Sequence, residues 1–368
     1  MSEKKKSKVY TITLSTATNY GEVMQEYALH SFLQEMGCDA RVIDYRPQIR
    51  KKADSLIYSL LKATSLTQKV KMILLFPFQL IRRWKFSKFR EKYIKMTSKC
   101  YSASDIEKLP QPDAYITGSD QVWNPEITAY DAAYFLEFDT LAHRASYAGS
   151  IGNDIINEEE KKKLFQKISQ LDCISVRESK ILELIPELMT LDAKCHLDPV
   201  FLLSKEAYIA IAKKPKISRY ILVYEMSSNP QIKIVAEKLA QKENLQIVQI
   251  NMIRNKYKFD RVISNASPQE FLGLMYYADY IVTNSFHGVA FSIIMNKKFF
   301  VLPLQMRSAR IENLLYQLNL EERVVKDINN IEVEKIPYEC VNKKIMELRN
   351  NAKNYLDQVV NKESIDKS

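Results

Sequence analysis

Short β-rich runs alternate with helix-length segments along almost the whole chain, and this order constrains the fold more than any other feature. Val9-Tyr10-Thr11-Ile12-Thr13-Leu14 reads as a strand. Val23, Tyr27, Phe32 and Leu33 share one face of the helix after it, Gly37 follows that helix, and Arg41-Val42-Ile43-Asp44 is the next strand. Two parallel strands need such a crossover helix between them. Further strands are expected at 113–117, 145–148, 173–176 and 195–197. A polar stretch at 205–218 then separates them from a second series, at 220–224, 245–250, 280–283 and 299–302. Two series of this kind predict an α/β protein of two Rossmann-like domains facing across a cleft. A chain of 368 residues is long enough for both cores. The expected limits are 1–204 for the N-terminal domain with a helical insert at 49–99, 219–335 for the C-terminal domain, and 336–368 for a helical tail. The insert reads as helix interrupted at Pro77.

Composition narrows the function classes. The net charge is +10, but Lys51 to Lys99 holds thirteen Lys or Arg against two acidic residues, Asp54 and Glu91, so the rest of the chain is close to neutral. That is a basic segment on an enzyme-like body rather than a nucleic-acid-binding protein, and no nucleic-acid motif accompanies it. Five scattered cysteines suit a reducing compartment, and four histidines without ligand spacing argue against a built-in metal site. No run of eighteen uncharged apolar residues occurs, and the first residues lack the apolar stretch of a signal peptide. A cytoplasmic protein is expected. Within the insert, Phe76, Phe78, Trp84, Phe86 and Phe89 lie among Lys71, Arg82, Arg83, Lys85, Lys88 and Arg90. This mix suits either a helix lying on an anionic membrane surface at the inner face of the plasma membrane or a solvated helix covering the N-terminal domain.

Glycine is scarce, seven residues where average usage would give about 26. Four of them (Gly21, Gly118, Gly149, Gly288) fall where predicted strands end, which is where open α/β sheets bind ligands. Three loops there concentrate polar residues: Thr18-Asn19-Tyr20-Gly21, Gly118-Ser119-Asp120-Gln121 and Asn284-Ser285-Phe286-His287-Gly288. His287 is the best catalytic candidate, a proton donor or acceptor near neutral pH at a strand-to-helix turn. His30, His143 and His196 read as structural hydrogen-bonders. Arg177, Arg307 and Arg310 suit an anionic substrate, because the guanidinium fork binds carboxylate or phosphate through two nitrogens. Arg177 reads equally well as one half of an ion pair with Glu178. Asp120 can accept from a sugar hydroxyl or cap the next segment, and Trp123 reads as packing before sugar stacking.

Taken in order, these pieces resemble the polysaccharide pyruvyl transferase family. The matching pieces are Asn19-Tyr20-Gly21 with Gln25-Glu26-Tyr27-Ala28-Leu29, Asp44-Tyr45-Arg46-Pro47, Gly118-Ser119-Asp120-Gln121-Val122-Trp123-Asn124, and Ser146-Tyr147-Ala148. Ser175-Val176-Arg177-Glu178, Leu197-Asp198-Pro199-Val200 and Ala278-Asp279 through Gly288 complete the series. The resemblance implies a glycosyltransferase-B-like fold, with the acceptor on the N-terminal domain and the donor on the C-terminal one. It implies transfer of pyruvate from phosphoenolpyruvate to a sugar or lipid-linked oligosaccharide as a ketal, with His287 as the acid and no metal or redox cofactor. Asn19, Tyr20, Gly21, Gly118, Ser119, Asp120, Arg177, Asn284, Ser285, Gly288, Arg307 and Arg310 would bind substrate. The chain departs from some members in carrying Ser285 where they have an Arg, so either the donor's cation comes from Arg177, Arg307 or Arg310, or the donor differs. A nucleotide-sugar-dependent glycosyltransferase of the same fold is the alternative. A non-enzymatic sugar-binding protein ranks third, and His287 argues against it.

Overall fold

The computed structural model describes residues 6–15, 18–47, 65–251, 259–302, 309–328, 331 and 335–361. Arg307 and residues 49–64 of the basic insert lie outside the described residues. Strands β1 (Lys8–Ile12), β2 (Asp39–Tyr45), β3 (Met96–Cys100), β4 (Ala114–Thr117) and β5 (His143–Ser146) form one sheet in the order β3-β2-β1-β4-β5. Every pairing in it is parallel. The short pair β6 (Ser175–Val176) and β7 (Lys194–Cys195) continues it, joined through bridges at Ala145–Cys173 and Gly149–Val176. A second parallel sheet repeats the plan as β10-β9-β8-β11-β12, from β8 (Tyr220–Glu225), β9 (Gln246–Asn251), β10 (Arg261–Ile263), β11 (Tyr280–Thr283) and β12 (Lys298–Val301). The architecture is therefore the expected one, two doubly wound domains of the glycosyltransferase-B type.

The central strands are apolar on both faces because helices cover both; all six residues of β8 and all four of β4 and β11 are buried. Two edge strands escape the sequence pattern. β3 reads Met-Thr-Ser-Lys-Cys and β10 reads Arg-Val-Ile, and most of their side chains are at least partly exposed. An edge strand packs on little, so it needs no apolar run to reveal it.

Helix α1 (Tyr20–Glu35) follows β1, and Cys38 N closes its end by donating to Leu33 O at 3.0 Å. Helix α2 (Leu66–Tyr93) runs through Pro77, contrary to the expected interruption, although proline has no N–H to donate. It buries Phe86 and Phe89. Helix α3 (Lys205–Ile211) lies in the junction, and α4 (Pro230–Glu243), α5 (Pro268–Tyr277) and α6 (Phe286–Ile294) build the C-terminal domain. Ser267 and Glu270 form the expected capping box at α5.

After α7 (Ala309–Gln317), the last helix α8 (Tyr338–Asn361) is more than a tail. Its Arg349 donates to Phe201 O at 2.8 Å and Leu203 O at 2.9 Å, and Tyr355 donates to Ser146 O at 2.7 Å. The helix thus straps the C-terminal domain to the N-terminal one. One hydrophobic cluster runs unbroken from Val9 and Tyr20 through Phe271 and Phe291 to Tyr355, so the domains share a core.

Candidate active site

In each sheet the chain leaves the first central strand toward one side and the fourth toward the other, which opens a crevice beyond their carboxyl ends. The crevice loops are residues 13–15, 18–19 and 118–124 in one domain and 226–229 and 284–285 in the other. They meet around His287, the second residue of α6. Ser285 caps that helix by accepting from Gly288 N at 3.4 Å, and its own N–H donates to Thr283 Oγ1 at 3.0 Å. A Cβ on Gly288 would stand 2.2 Å from Thr283 Oγ1, so only glycine lets α6 start this close to β11.

The imidazole of His287 crosses to the N-terminal domain. Its Nδ1 side lies over Gly21, where a Cβ would come within 2.0 Å, and Nε2 stands 3.6 Å from Asp198 Oδ2. That distance is too long for a hydrogen bond and right for an ion pair once the ring is protonated; Nε2 is buried and otherwise unpartnered. Gly21 is placed by Asn19, whose side chain caps α1 by accepting from Gly21 N at 2.9 Å.

Asp198 is the centre of the polar cluster. It is fully buried, accepts from Arg177 Nη1 at 3.0 Å and Ser119 Oγ at 3.1 Å on Oδ2, and takes the Val200 amide at 3.1 Å on Oδ1. Burial would raise its pKa, but His287, Arg177 and the Val200 N–H together hold the carboxyl below the usual carboxylate range. Arg177 is buried among three carboxylates: Asp198, Glu178 at 3.4 Å and Asp120 at 3.9 Å. Burial works against its charge, and the three acids outweigh that and raise its pKa. The expected ion pair with Glu178 is present, and the Phe286 ring lies 4.9 Å from the guanidinium carbon. Nη2 remains buried and unpaired. Thr13 ties the cluster to β1, donating to Ser119 O at 2.9 Å and accepting from Gln25 at 2.8 Å.

The sequence-named residues therefore divide. His287, Gly21, Asn19, Ser119, Asp120, Arg177 and Ser285 converge. Gly118 lies in the same loop and donates its N–H to Ile12 O at 2.7 Å. Asp120 holds a left-handed backbone, φ 76°, and accepts from its neighbour Gln121 N at 2.9 Å, so it caps its own turn rather than a helix. Arg310 on α7 reaches over from the C-terminal domain, its guanidinium 3.2 Å from the Gln121 carboxamide.

Tyr20 and Asn284 differ from the expectation of ligand contact. Tyr20 is fully buried between the domains, its ring stacked 4.6 Å from Phe271 and its hydroxyl donating to Ala266 O at 2.9 Å. Asn284 spends its carboxamide on the loop after β8, at Met226 N and Ser227 O, both at 2.8 Å. Trp123 is buried, as packing requires. His30, His143 and His196 each face a hydrogen-bonding partner: Lys95 N, Cys173 Sγ and Ser175 Oγ. Asp198, Thr13 and Gln25 were not named as site residues, although Asp198 stands in the Leu197-Asp198-Pro199-Val200 piece; nothing local says that it meets a histidine of the other domain. Among the described residues no group of three acids, imidazoles or thiols is placed to hold a metal ion.

Solved structures that align along the chain include UDP-GlcNAc 2-epimerase from Neisseria meningitidis bound to UDP-GlcNAc. It is 13% identical over 96% of this chain and 94% of that one, with a TM-score of 0.45. The UDP-GlcNAc 2-epimerase from Methanocaldococcus jannaschii is 10% identical over 94% and 93%, TM-score 0.45. The glycosyltransferase SnogD from Streptomyces nogalater is 8% identical over 95% and 96%, TM-score 0.39. At such identities these say nothing of substrate, and no curated protein matches the chain. The family model of polysaccharide pyruvyl transferase, in contrast, matches residues 19–305. That span runs from the Asn19 cap past the His287 turn and takes in the site residues other than Thr13 and Arg310, and the chain belongs to the polysaccharide pyruvyl transferase family.

Proposed function

We propose that this transferase moves pyruvate from phosphoenolpyruvate to a sugar of a cell-surface polysaccharide or its lipid-linked precursor, closing a ketal. The observation that carries the reading is His287, held between Gly21 and Asp198 where the two domains' ligand crevices meet. Protonated His287 gives its proton to the methylene carbon of the donor, which becomes a methyl group. The oxocarbenium-like centre left at the next carbon is attacked by one sugar hydroxyl, phosphate leaves, and a second hydroxyl closes the ring. Two hydroxyl protons are released. One replaces the proton His287 gave up, and the other leaves with phosphate, so the balance needs no redox cofactor. Ionised Asp198 orients the imidazole, and Ser119 and Arg177 hold Asp198.

The donor is trianionic, and three carboxylates already surround Arg177. We therefore assign the donor's phosphate to Arg310, with Arg307 on the same side of the sequence, and leave Arg177 Nη2 for its carboxylate. Asn19, Gly118 and Asp120 would then face the acceptor.

Thermal shift against phosphoenolpyruvate and a panel of nucleotide sugars tests the donor. A ligand at a hundred times its Kd adds about 2.7 kcal/mol of stability. Stabilisation by phosphoenolpyruvate that weakens in Arg310→Ala supports the reading; stabilisation by a nucleotide sugar alone replaces the donor. His287→Gln should still be stabilised by phosphoenolpyruvate while phosphate release falls about 10²–10⁴-fold.

A further inference from the structure

Four large apolar side chains face solvent within seven residues of α2: Phe78 is 51% exposed, Leu80 47%, Ile81 42% and Trp84 60%. Leu80, Ile81 and Trp84 lie away from the helix's inward face, which Arg82, Phe86, Phe89 and Arg90 supply, whereas Phe78 stands four residues before Arg82 on that inward stripe. The helix therefore carries a second apolar face with no partner among the described residues. Among the described residues no helix is long and apolar enough to cross a membrane.

The surroundings of this face are cationic. Trp84 lines a groove of about 630 Å³ between α2 and the C-terminal domain, together with Lys85, Lys88, Lys92 and Lys213. Through Lys85, Lys213 and Glu270 the groove continues into a second hollow of about 260 Å³ carrying Lys214, Lys216 and Arg261. Against these seven cations stand two carboxylates, Glu91 and Glu270, and both are engaged by lysines of the groove itself, Lys88 for the first, Lys85 and Lys213 for the second. The cationic rim thus includes residues of the C-terminal domain and its linker, which the basic insert alone does not reveal.

We propose that this composite face docks on an anionic lipid bilayer. Leu80, Ile81 and Trp84 enter the boundary between headgroups and acyl chains, and the lysines of the groove meet lipid phosphates. Aliphatic Leu80 and Ile81 offer nothing for a nucleic-acid base to stack on. A second copy of the chain would bring a face of the same positive sign against this one. The inference does not rest on the identity of the donor.

Only two tryptophans are present, and Trp123 is fully buried, so a change in tryptophan emission reports Trp84. The full chain is mixed with vesicles rich in phosphatidylglycerol and, separately, with pure phosphatidylcholine vesicles. The expected result is sedimentation and a blue shift with the anionic vesicles only, quenched by brominated acyl chains and reversed by high salt. Lys88→Ala and Lys214→Ala should each weaken binding about fivefold. The double variant Leu80→Ser, Ile81→Ser should lose the blue shift with its thermal transition unchanged, since both side chains are exposed. Unshifted emission with anionic vesicles, or equal binding to neutral ones, would overturn the proposal. So would a blue shift that grows with protein concentration in vesicle-free buffer, which would make the face a self-association surface.

Discussion

At Gly21 a single hydrogen atom separates α1 from the imidazole of the other domain. A Cβ there would stand 2.0 Å from Nδ1 of His287 and 2.3 Å from its Cγ. Gly21→Ala must therefore push the ring away from Asp198. The backbone is helical at this position, where alanine is favoured, so the helix itself gains. The expected outcome is a turnover lower by about 10²-fold, as for an ångström-scale misplacement of a reacting group, with a circular-dichroism spectrum like that of the parent; steady-state phosphate release reads it. Asp198→Asn keeps the shape and removes the charge opposite Arg177 and His287. It should lower kcat and alter the alkaline limb of the pH–rate profile, the side on which an acid that must carry its proton fails, whereas a purely structural residue would leave that profile alone. His287 was legible because its turn combines polar residues, a glycine and the end of a strand. Its partner was not, because Asp198 reads locally as an Asp-Pro turn, and it does serve that turn through Val200 N.

Caps and straps decide matters at the scale of elements. Ser285 does for α6 what an Arg at this position does not, since its hydroxyl accepts from Gly288 N. Ser285→Ala should cost about 1 kcal/mol, measured as a shift of the urea midpoint at constant slope. Arg349→Ala should cost more, about 1.5–3 kcal/mol, because two carbonyls at the domain junction lose a charged donor. A loss equal to that of Ser285→Ala would mean that α8 holds the domains by packing alone. The capping box at Ser267, the close of α1 and the central strands were all legible, since each is written in consecutive residues. The edge strands β3 and β10 were not, and neither was the continuity of α2 through Pro77. Those outcomes depend on what packs alongside.

Two buried histidines couple the whole molecule to pH. His30 is carried by α1 and accepts from Lys95 N, and His196 sits between Ser175 and the Tyr355 ring, 4.8 Å away. Burial first, and then the charges of Lys95 and Lys194, push both pKa values down to about 4 from 6.5. As pH falls the unfolded chain takes up these protons before the native protein does. The stability due to the neutral rings is thus complete above pH 6.5 and is lost as pH falls toward 4. By pH 5 the loss should be roughly 2 kcal/mol per histidine. Denaturant unfolding at pH 7 and pH 5 should show it, with a smaller fall in His196→Gln; equal falls would show that His196 does not titrate with folding.

The alternation of apolar strands with one-sided helices is enough to set two parallel sheets, their crossovers and the crevices beyond their strand ends, because these follow from side-chain periodicity and backbone hydrogen bonding within short stretches. The family's ordered motifs are legible for the same reason. What the linear order leaves open is which groups meet. Tyr20 sits in a polar, glycine-adjacent loop and becomes interdomain core because Phe271 and Ala266 stand opposite it. Arg177 looks like an anion site, yet three acids from separate loops balance its charge. Such roles depend on through-space desolvation and Coulomb interaction between residues far apart in the chain, and these exist only once the two domains have closed on a common core.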